Sequence, residues 1–185
     1  MRRLIFLTVA MLTTLPMSAN DYMRDFDQER LKVSISNSYL DFNKDIKVGS
    51  TLGVAIGFSG YAYDGFITYD YQLATMGNSF TLDVDSNNAK TSFINYSPKI
   101  KVGFVPFSDI SISGIVSYNW MKISKESNIM TDYSNSLKGL GYGIEINVPF
   151  NDDFGTSIGY EKLDLSHKST DLDVKSFNIG LNYSF

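Results

Sequence analysis

The feature that most constrains this chain is an alternation of bulky apolar residues with small or polar ones, which recurs between residues 31 and 185. In the closing FNIGLNYSF the bulky residues occupy every second position: Phe177, Ile179, Leu181, Tyr183 and Phe185. Successive side chains of a β-strand point to opposite faces, so a period of two indicates strands whose two faces meet different environments. The chain is therefore predicted to be all-β.

Eight segments carry the alternation. They span residues 31–39, 49–59, 66–75, 92–105, 110–121, 137–148, 154–163 and 174–185. Three of the connections are short turns, and four longer, polar connections alternate with them: 40–48, 76–91, 122–136 and 164–173. Short turns at one end and longer loops at the other are typical of an up-and-down antiparallel barrel. An even number of strands puts both termini on the short-turn side.

The sizes of the side chains in the two alternating sets, one bulky and one small, decide which face of the strands lies inside the barrel. The interior of an eight-stranded barrel is only just wide enough for side chains. Glycine, serine, alanine and asparagine fit that space, whereas the phenylalanine, tyrosine, isoleucine and leucine row would overpack it. A soluble lipocalin-like barrel would show the reverse arrangement, with its apolar row inside. The bulky row must therefore face hydrocarbon, and we predict an eight-stranded antiparallel up-and-down transmembrane β-barrel over residues 31–185, closed so that every backbone group is paired.

The N-terminus has the layout of a secretory signal peptide. Two arginines precede an apolar run over residues 4–15, which is followed by the small residues Ser18 and Ala19. The run is too short for a membrane-spanning helix, so we expect export and cleavage after Ala19. Residues 20–30 are polar and are predicted to form a periplasmic leader. The chain has no cysteine, which excludes disulfides and a lipoprotein signal.

The signal peptide, the eight segments and the ending Gly180-Leu-Asn-Tyr-Ser-Phe185 together resemble the small outer-membrane β-barrels of the OmpA/OmpX kind. The resemblance implies a monomer in the outer membrane of a Gram-negative bacterium, in contact with lipid and lipopolysaccharide. It also implies that Tyr183 and Phe185 belong to the signal by which the barrel assembly machinery recognises such proteins. The likeness to OmpA is expected to end at the barrel, without an appended peptidoglycan-binding domain.

Six positions of the small, lumen-facing row carry charge, three of each sign: Lys32, Lys99, Lys101, Asp70, Glu145 and Glu161. Because an unpaired buried charge is very costly, we expect these side chains to pair with one another. The sequence thus predicts a salt-bridged plug, and a gated, narrow ion path is the alternative. Pro98 lies in the same segment as two of the lysines and predicts a local distortion there.

A catalytic interpretation depends on the only histidine. His167 is followed two residues later by Ser169, a spacing that would put both side chains on one face of a strand. Three acids lie near them: Asp164, Asp171 and Asp173. The pair is similar to the His-x-Ser arrangement of the lipid A deacylase barrels, which implies a lipid A-modifying hydrolase. Lys168 and Thr170 depart from that motif, however, and a solvated loop without catalytic function is the favoured interpretation.

The remaining function classes are limited by charge and composition. A formal net charge of −4 argues against nucleic acid as a partner. One histidine, no cysteine and scattered carboxylates predict no metal site, and no cofactor is expected. The connection 76–91 alternates weakly and is predicted to form a hairpin above the membrane that turns at residues 86–88. Its unpaired edge would either capture a partner by strand addition or simply support the loop.

The favoured function is therefore that of a non-enzymatic outer-membrane barrel with a narrow, plugged lumen. Its longer loops would mediate adhesion, other surface interactions or envelope integrity, with a host or surface ligand as the possible partner. The alternatives are the lipid A hydrolase that uses His167 and Ser169 and a small ion or solute channel.

Overall fold

The computed structural model describes residues 29–42, 46–62, 65–84, 87–107, 110–126, 133–167 and 170–185. Its elements are eight strands: β1 (Arg30–Phe42), β2 (Ile46–Ala62), β3 (Ile67–Val84), β4 (Asn87–Phe107), β5 (Ile110–Glu126), β6 (Tyr133–Pro149), β7 (Phe154–His167) and β8 (Thr170–Ser184). Each strand pairs antiparallel with its neighbour in sequence, and β1 pairs with β8 to close the barrel. The predicted eight-stranded antiparallel barrel is confirmed. Within the described ranges, no helix is long and apolar enough to cross a membrane.

The bulky row of each strand lies on the outside over the central part of the barrel. Leu52, Val54, Ile56 and Phe58 are exposed along β2, while Gly53 and Gly57 face the lumen. Exposed aromatic side chains gather at two levels, as in the interfacial girdles of membrane barrels. Near the short turns lie Phe58, Phe66, Phe104, Phe150, Phe154 and Phe185. Nearer the opposite end lie Tyr39, Tyr96, Tyr118, Trp120, Tyr142 and Tyr160.

The strands are longer than the sequence pattern predicted. The four connections interpreted as long loops, 40–48, 76–91, 122–136 and 164–173, are largely continuations of the strands. β4 has 21 residues, about twice the 9–11 that a tilted strand needs to cross a bilayer. The hairpin expected in 76–91 is present, but the predicted turn at 86–88 is wrong, because Asn87 and Asn88 already pair with Val84 and Asp83.

The side chains that point into the barrel change from polar to apolar where the strands extend beyond the outer level of aromatic residues. The buried apolar side chains there form one cluster, which we call the apolar cap: Leu40, Phe42, Val48, Phe93, Met121, Leu137, Leu163, Leu165 and Val174. Met121 and Leu163 have no exposed surface at all. A shift in the β1–β2 register between Ser38 and Leu40 lets Val48 join the cap, and Ser50 beside this bulge has a φ of 54°.

At the same level, the side chains on the outside of the barrel change from apolar to polar. Lys122, Lys138, Asp164 and Lys175 are exposed on the outside of β5 to β8 above the aromatic side chains. The barrel is therefore polar inside and apolar outside where it crosses the membrane, but apolar inside and polar outside beyond it. The second arrangement is that of a barrel in water, so the outer extension is stabilised by its own core.

Candidate functional site

The six charged lumen residues form three ion pairs. The Lys32 ammonium lies 2.8 Å from Asp70 Oδ2. Lys101 donates to both carboxylate oxygens of Glu145, at 2.7 and 2.9 Å. Lys99 donates to Glu161 Oε2, and Glu161 is only 1 % exposed. Every positive charge of the set thus has a carboxylate partner on another strand.

Hydrogen bonds extend these pairs toward the apolar cap. Ser117 Oγ donates to the second carboxylate oxygen of Glu161, and Asn119 Nδ2 donates to Ser117 Oγ at 2.8 Å. Asn95 Nδ2 donates to Asn119 Oδ1, also at 2.8 Å. A continuous chain of hydrogen bonds therefore runs from the Lys99–Glu161 pair to Asn95, just below the cap. In the lower part, Gln72 Nε2 donates to Asp70 Oδ2 at 2.9 Å.

Glycine in the small row makes room for this network. A Cβ atom on Gly141 would overlap Ser117 Oγ and lie 2.7 Å from Glu161 Oε1. The period-two pattern predicted that the lumen-facing residues are small, and at Gly141 the structural reason is that the Glu161 carboxylate and the Ser117 hydroxyl occupy the space above the glycine. Pro98 is accommodated without a bulge, because the β4–β5 pairing passes from Tyr96↔Trp120 to Lys99↔Ser117 in unchanged register.

The periplasmic end of the lumen is an open cavity of about 380 Å³. Arg30 lies at its rim and ties β1 to the chain end and to the last short turn. Its guanidinium donates to the Ser184 carbonyl at 2.9 Å, to the Phe185 carbonyl at 3.3 Å, to the Asp152 carbonyl and to Asp153 Oδ1. Arg30, which was predicted to belong to the leader, 20–30, is the first residue of β1, and residues 20–28 lie outside the described part of the chain.

The terminal aromatic residues lie at the closing seam. The Phe185 amide donates to the Leu31 carbonyl at 2.8 Å. The Phe185 and Tyr183 ring centroids are 4.5 Å apart with an edge-on geometry, and the Tyr183 and Phe154 centroids are 4.6 Å apart. An aromatic cluster thus marks the point where the last strand meets the first. Ala19, the predicted cleavage site, lies outside the described residues.

The structure separates the parts of the candidate catalytic set that it describes. His167 is half-buried at the end of β7 and shares the inward parity of Leu163 and Leu165. The three acids are exposed and have the opposite parity: Asp164, Asp171 and Asp173. Asp164 instead binds the Lys162 ammonium at 2.7 Å. Ser169 lies outside the described residues. In the described part of the chain no group of three or more histidine, cysteine, aspartate or glutamate residues could hold a metal ion.

At the opposite end, four strands extend beyond the rest of the barrel. β2 pairs with β3 only up to Leu52↔Gly77, whereas β3 continues to pair with β4 as far as Val84↔Asn87. Among the described pairings, residues 79–84 of β3 therefore have a strand on one side only; we call them the protruding edge. Asn78 Nδ2 donates to the Gly49 and Ser50 carbonyls and holds the base of this edge to β2.

A closed barrel with a lipid-facing apolar band, two aromatic levels and a polar lumen crossed by ion pairs defines an integral outer-membrane β-barrel protein. The family model for the outer membrane protein beta-barrel domain matches residues 5–185, and the chain belongs to that family. The resemblance to the small eight-stranded outer-membrane barrels is thus confirmed. A sequence search among curated proteins found no match.

Solved structures show the same fold at low identity. Ail, the attachment invasion locus protein of Yersinia pestis, superposes with a TM-score of 0.63 at 17 % identity, over 85 % of this chain and 97 % of Ail. A major outer membrane protein from Thermus thermophilus gives 0.52 at 11 % identity, over 84 % and 99 % of the two chains. Neisserial surface protein A gives 0.50 at 14 %, over 85 % and 97 %. These likenesses concern the fold.

Proposed function

We propose that this protein is a non-enzymatic, monomeric barrel of the Gram-negative outer membrane that acts through its surface hairpins, in adhesion or another surface interaction. The observation that carries the proposal is the protruding edge, residues 79–84, which has no second strand beside it among the described pairings. An edge strand presents a row of backbone donors and acceptors that an extended segment of another protein can extend. A sheet of this length is not needed to cross the membrane.

A barrel of the same fold supports a binding role. Ail of Yersinia pestis has been crystallised in complex with the heparin analogue sucrose octasulfate. Sucrose octasulfate is a ligand of Ail. For this protein we propose an extended polypeptide as the partner, because the proposal rests on the edge of a strand.

Removing the protruding edge should abolish adhesion without unfolding the barrel. Ser79 and Ser92 are cross-strand partners, so residues 80–91 can be replaced by Asn-Gly, which forms a tight hairpin turn. Bacteria that display the shortened protein are expected to bind epithelial monolayers no better than cells without the protein. Adhesion would be counted as bound bacteria per field, with the folded fraction checked by heat-modifiable gel migration.

The matched control is the β7–β8 hairpin. His167 and Thr170 are cross-strand partners, so replacing Lys168-Ser169 by Asn-Gly changes only the two residues that connect β7 to β8 and also removes Ser169. This variant should adhere like the parent. Equal loss in both variants would contradict a specific role for the protruding edge, and undiminished adhesion of the shortened protein would refute it.

The proposal includes a lumen that does not conduct. Two consecutive layers support this: the three ion pairs, which cross the lumen from β1 to β3, from β4 to β6 and from β4 to β7, and the apolar cap above them. An ion that entered from the periplasmic cavity would have to break buried pairs and then pass an apolar layer.

In planar lipid bilayers the purified protein is therefore expected to give no single-channel steps at moderate voltage. A known porin inserted in the same membrane serves as the control for detection. Reproducible steps that scale with the amount of inserted protein would instead support the channel alternative.

A further inference from the structure

Asn78 lies at the point where β2 and β3 separate. Gly77 is the last residue of β3 that pairs with β2, and Asn78 follows it. The Asn78 side chain spans the gap, since its Nδ2 donates to the Gly49 carbonyl at 3.1 Å and to the Ser50 carbonyl at 3.3 Å. Its Oδ1 accepts from the Ser79 amide at 2.6 Å. One side chain thus continues the hydrogen bonding between the two strands for one residue beyond their last pair.

The backbone groups of β3 alternate in direction. In an antiparallel sheet the N–H and C=O of one residue point to the same neighbouring strand, and those of the next residue point to the other neighbour. A Cβ atom on Gly57 of β2 would overlap the Tyr71 carbonyl oxygen, so the odd-numbered residues of β3 direct their backbone groups to the β2 side. The Ser79 amide, which bonds to the side chain that reaches β2, has the same direction. The β3–β4 register is unbroken from Ile67 to Val84, so the alternation continues to the end of the strand.

On the protruding edge, Thr81 and Asp83 therefore direct their backbone groups to the side from which β2 has departed. The described pairings place no strand there. Ser79 points to the same side, but its amide is already bonded to Asn78. An added strand could not pair with β3 farther toward the membrane, because β2 itself lies beside β3 from Gly77 onward. The edge thus offers two backbone donors, about 7 Å apart along the strand.

We infer that Asn78 fixes the register in which an extended segment of another protein adds to the protruding edge. The inference rests on the proposed function and specifies its contact. The segment pairs antiparallel with β3 at Thr81 and Asp83, because antiparallel pairing is the more stable. Its C-terminal end lies at Asn78, since β3 runs away from the membrane there. By bonding to the Ser79 amide, Asn78 prevents a shift of two residues, the smallest shift that keeps the same side chains on each face.

Proline at the two pairing positions tests the inference in the same epithelial adhesion assay. Thr81→Pro and Asp83→Pro each remove one backbone donor that faces the open side, where an edge strand tolerates proline. Each should lower adhesion about fivefold, the contribution of one net hydrogen bond. Thr81→Ala and Asp83→Ala are the matched controls and should adhere like the parent, because they change the side chain but keep the N–H. Heat-modifiable migration reports the folded fraction, and Asp83→Pro decides the test if Thr81→Pro assembles poorly.

A second set of variants tests the positioning role of Asn78. Ser79→Pro should leave adhesion unchanged in the parent, because the Ser79 amide is not offered to the partner. In Asn78→Ala the segment can shift by two residues toward the membrane and bond to that amide. Ser79→Pro should then lower adhesion, and Asp83→Pro should no longer do so. If Asn78 were merely structural, Asn78→Ala would change the amount of folded protein but not this pattern, which would overturn its role in the register.

The outcomes separate this inference from the proposed function. Full adhesion of both proline variants, or an equal loss in the alanine variants, would overturn the inference, and loss of adhesion without residues 80–91 would still support the protruding edge as the binding site. Undiminished adhesion without residues 80–91 would refute both. If the prolines abolished clumping of the displaying bacteria but not adhesion, the edge would pair with a second copy of this chain, and the inference would be wrong.

Discussion

Replacing Lys101 by methionine is expected to lower the free energy of unfolding by about 3–5 kcal/mol, the cost of leaving one partner of a buried ion pair without its counter-charge. Lys101 donates to both oxygens of Glu145, and both residues are 7 % exposed. Methionine keeps most of the volume, so the loss reports the uncompensated carboxylate and not a cavity.

Unfolding in denaturant, with the protein in phospholipid vesicles, provides the measurement. Trp120 is the only tryptophan of the chain and lies exposed on the lipid-facing surface, so its fluorescence reports the transition from lipid to water. The double variant Lys101→Met/Glu145→Met should recover most of the stability, because removing both charges removes the desolvation penalty.

A second variant calibrates the size of the effect. Lys162→Met breaks the solvent-exposed pair with Asp164 and should cost much less than Lys101→Met, because water screens exposed charges. If Lys101→Met cost no more than this surface control, the lumen network would contribute little to stability. If the losses of Lys101→Met and Glu145→Met simply added in the double variant, the coupling between Lys101 and Glu145 would be absent.

The set of lumen charges could be predicted from the sequence, but their partners could not. Parity alone places Lys101 and Glu145 in the lumen, because alternate residues of a strand share a face. Which acid each lysine reaches depends on strand tilt and on the space left by glycines such as Gly141, and neither quantity appears in a periodic pattern. Lys101 on β4 consequently pairs across β5 with β6, and Lys99 on the same strand reaches β7.

The apolar cap was missed for a different physical reason. Leu40 and Phe42 alternate with Asp41, so the period is unchanged there and only the assignment of faces is reversed. Periodicity reports that two faces differ but not which one is inside, and the volume argument applies only where lipid surrounds the barrel. The bulge beside Ser50 also shifts parity by one residue, which a strict period of two cannot reproduce.

The reversal of faces links the fold to the proposed role. Strands that ended at the membrane surface would leave only loops outside, and loops vary in conformation. Here Met121 and Leu163 are fully buried beyond the outer aromatic level, so the outer strands have their own core. The protruding edge therefore stands on a packed base, which lowers the entropy cost of presenting an ordered strand to a partner.

Deleting Phe185 is expected to reduce the amount of assembled barrel in cells severalfold. The Phe185 amide bonds to the Leu31 carbonyl, its carbonyl accepts from Arg30, and its ring packs on Tyr183 at the seam where the barrel closes. Its side chain is nevertheless 64 % exposed, which leaves it accessible to the assembly machinery that we propose recognises it. The measurement is the heat-modifiable, folded fraction in isolated outer membranes.

Two controls separate recognition from stability in this experiment. Phe66→Ala removes an equally exposed girdle ring far from the chain end, and Phe185→Tyr keeps an aromatic terminus; both should assemble normally. Refolding of the Phe185 deletion into vesicles without any assembly machinery should remain close to that of the parent, because the remaining β1–β8 pairs, from Lys32↔Ser184 to Phe42↔Val174, still close the barrel. A deletion that assembled normally in cells would refute the assembly signal. A deletion that failed equally in vesicles would assign the defect to the seam itself.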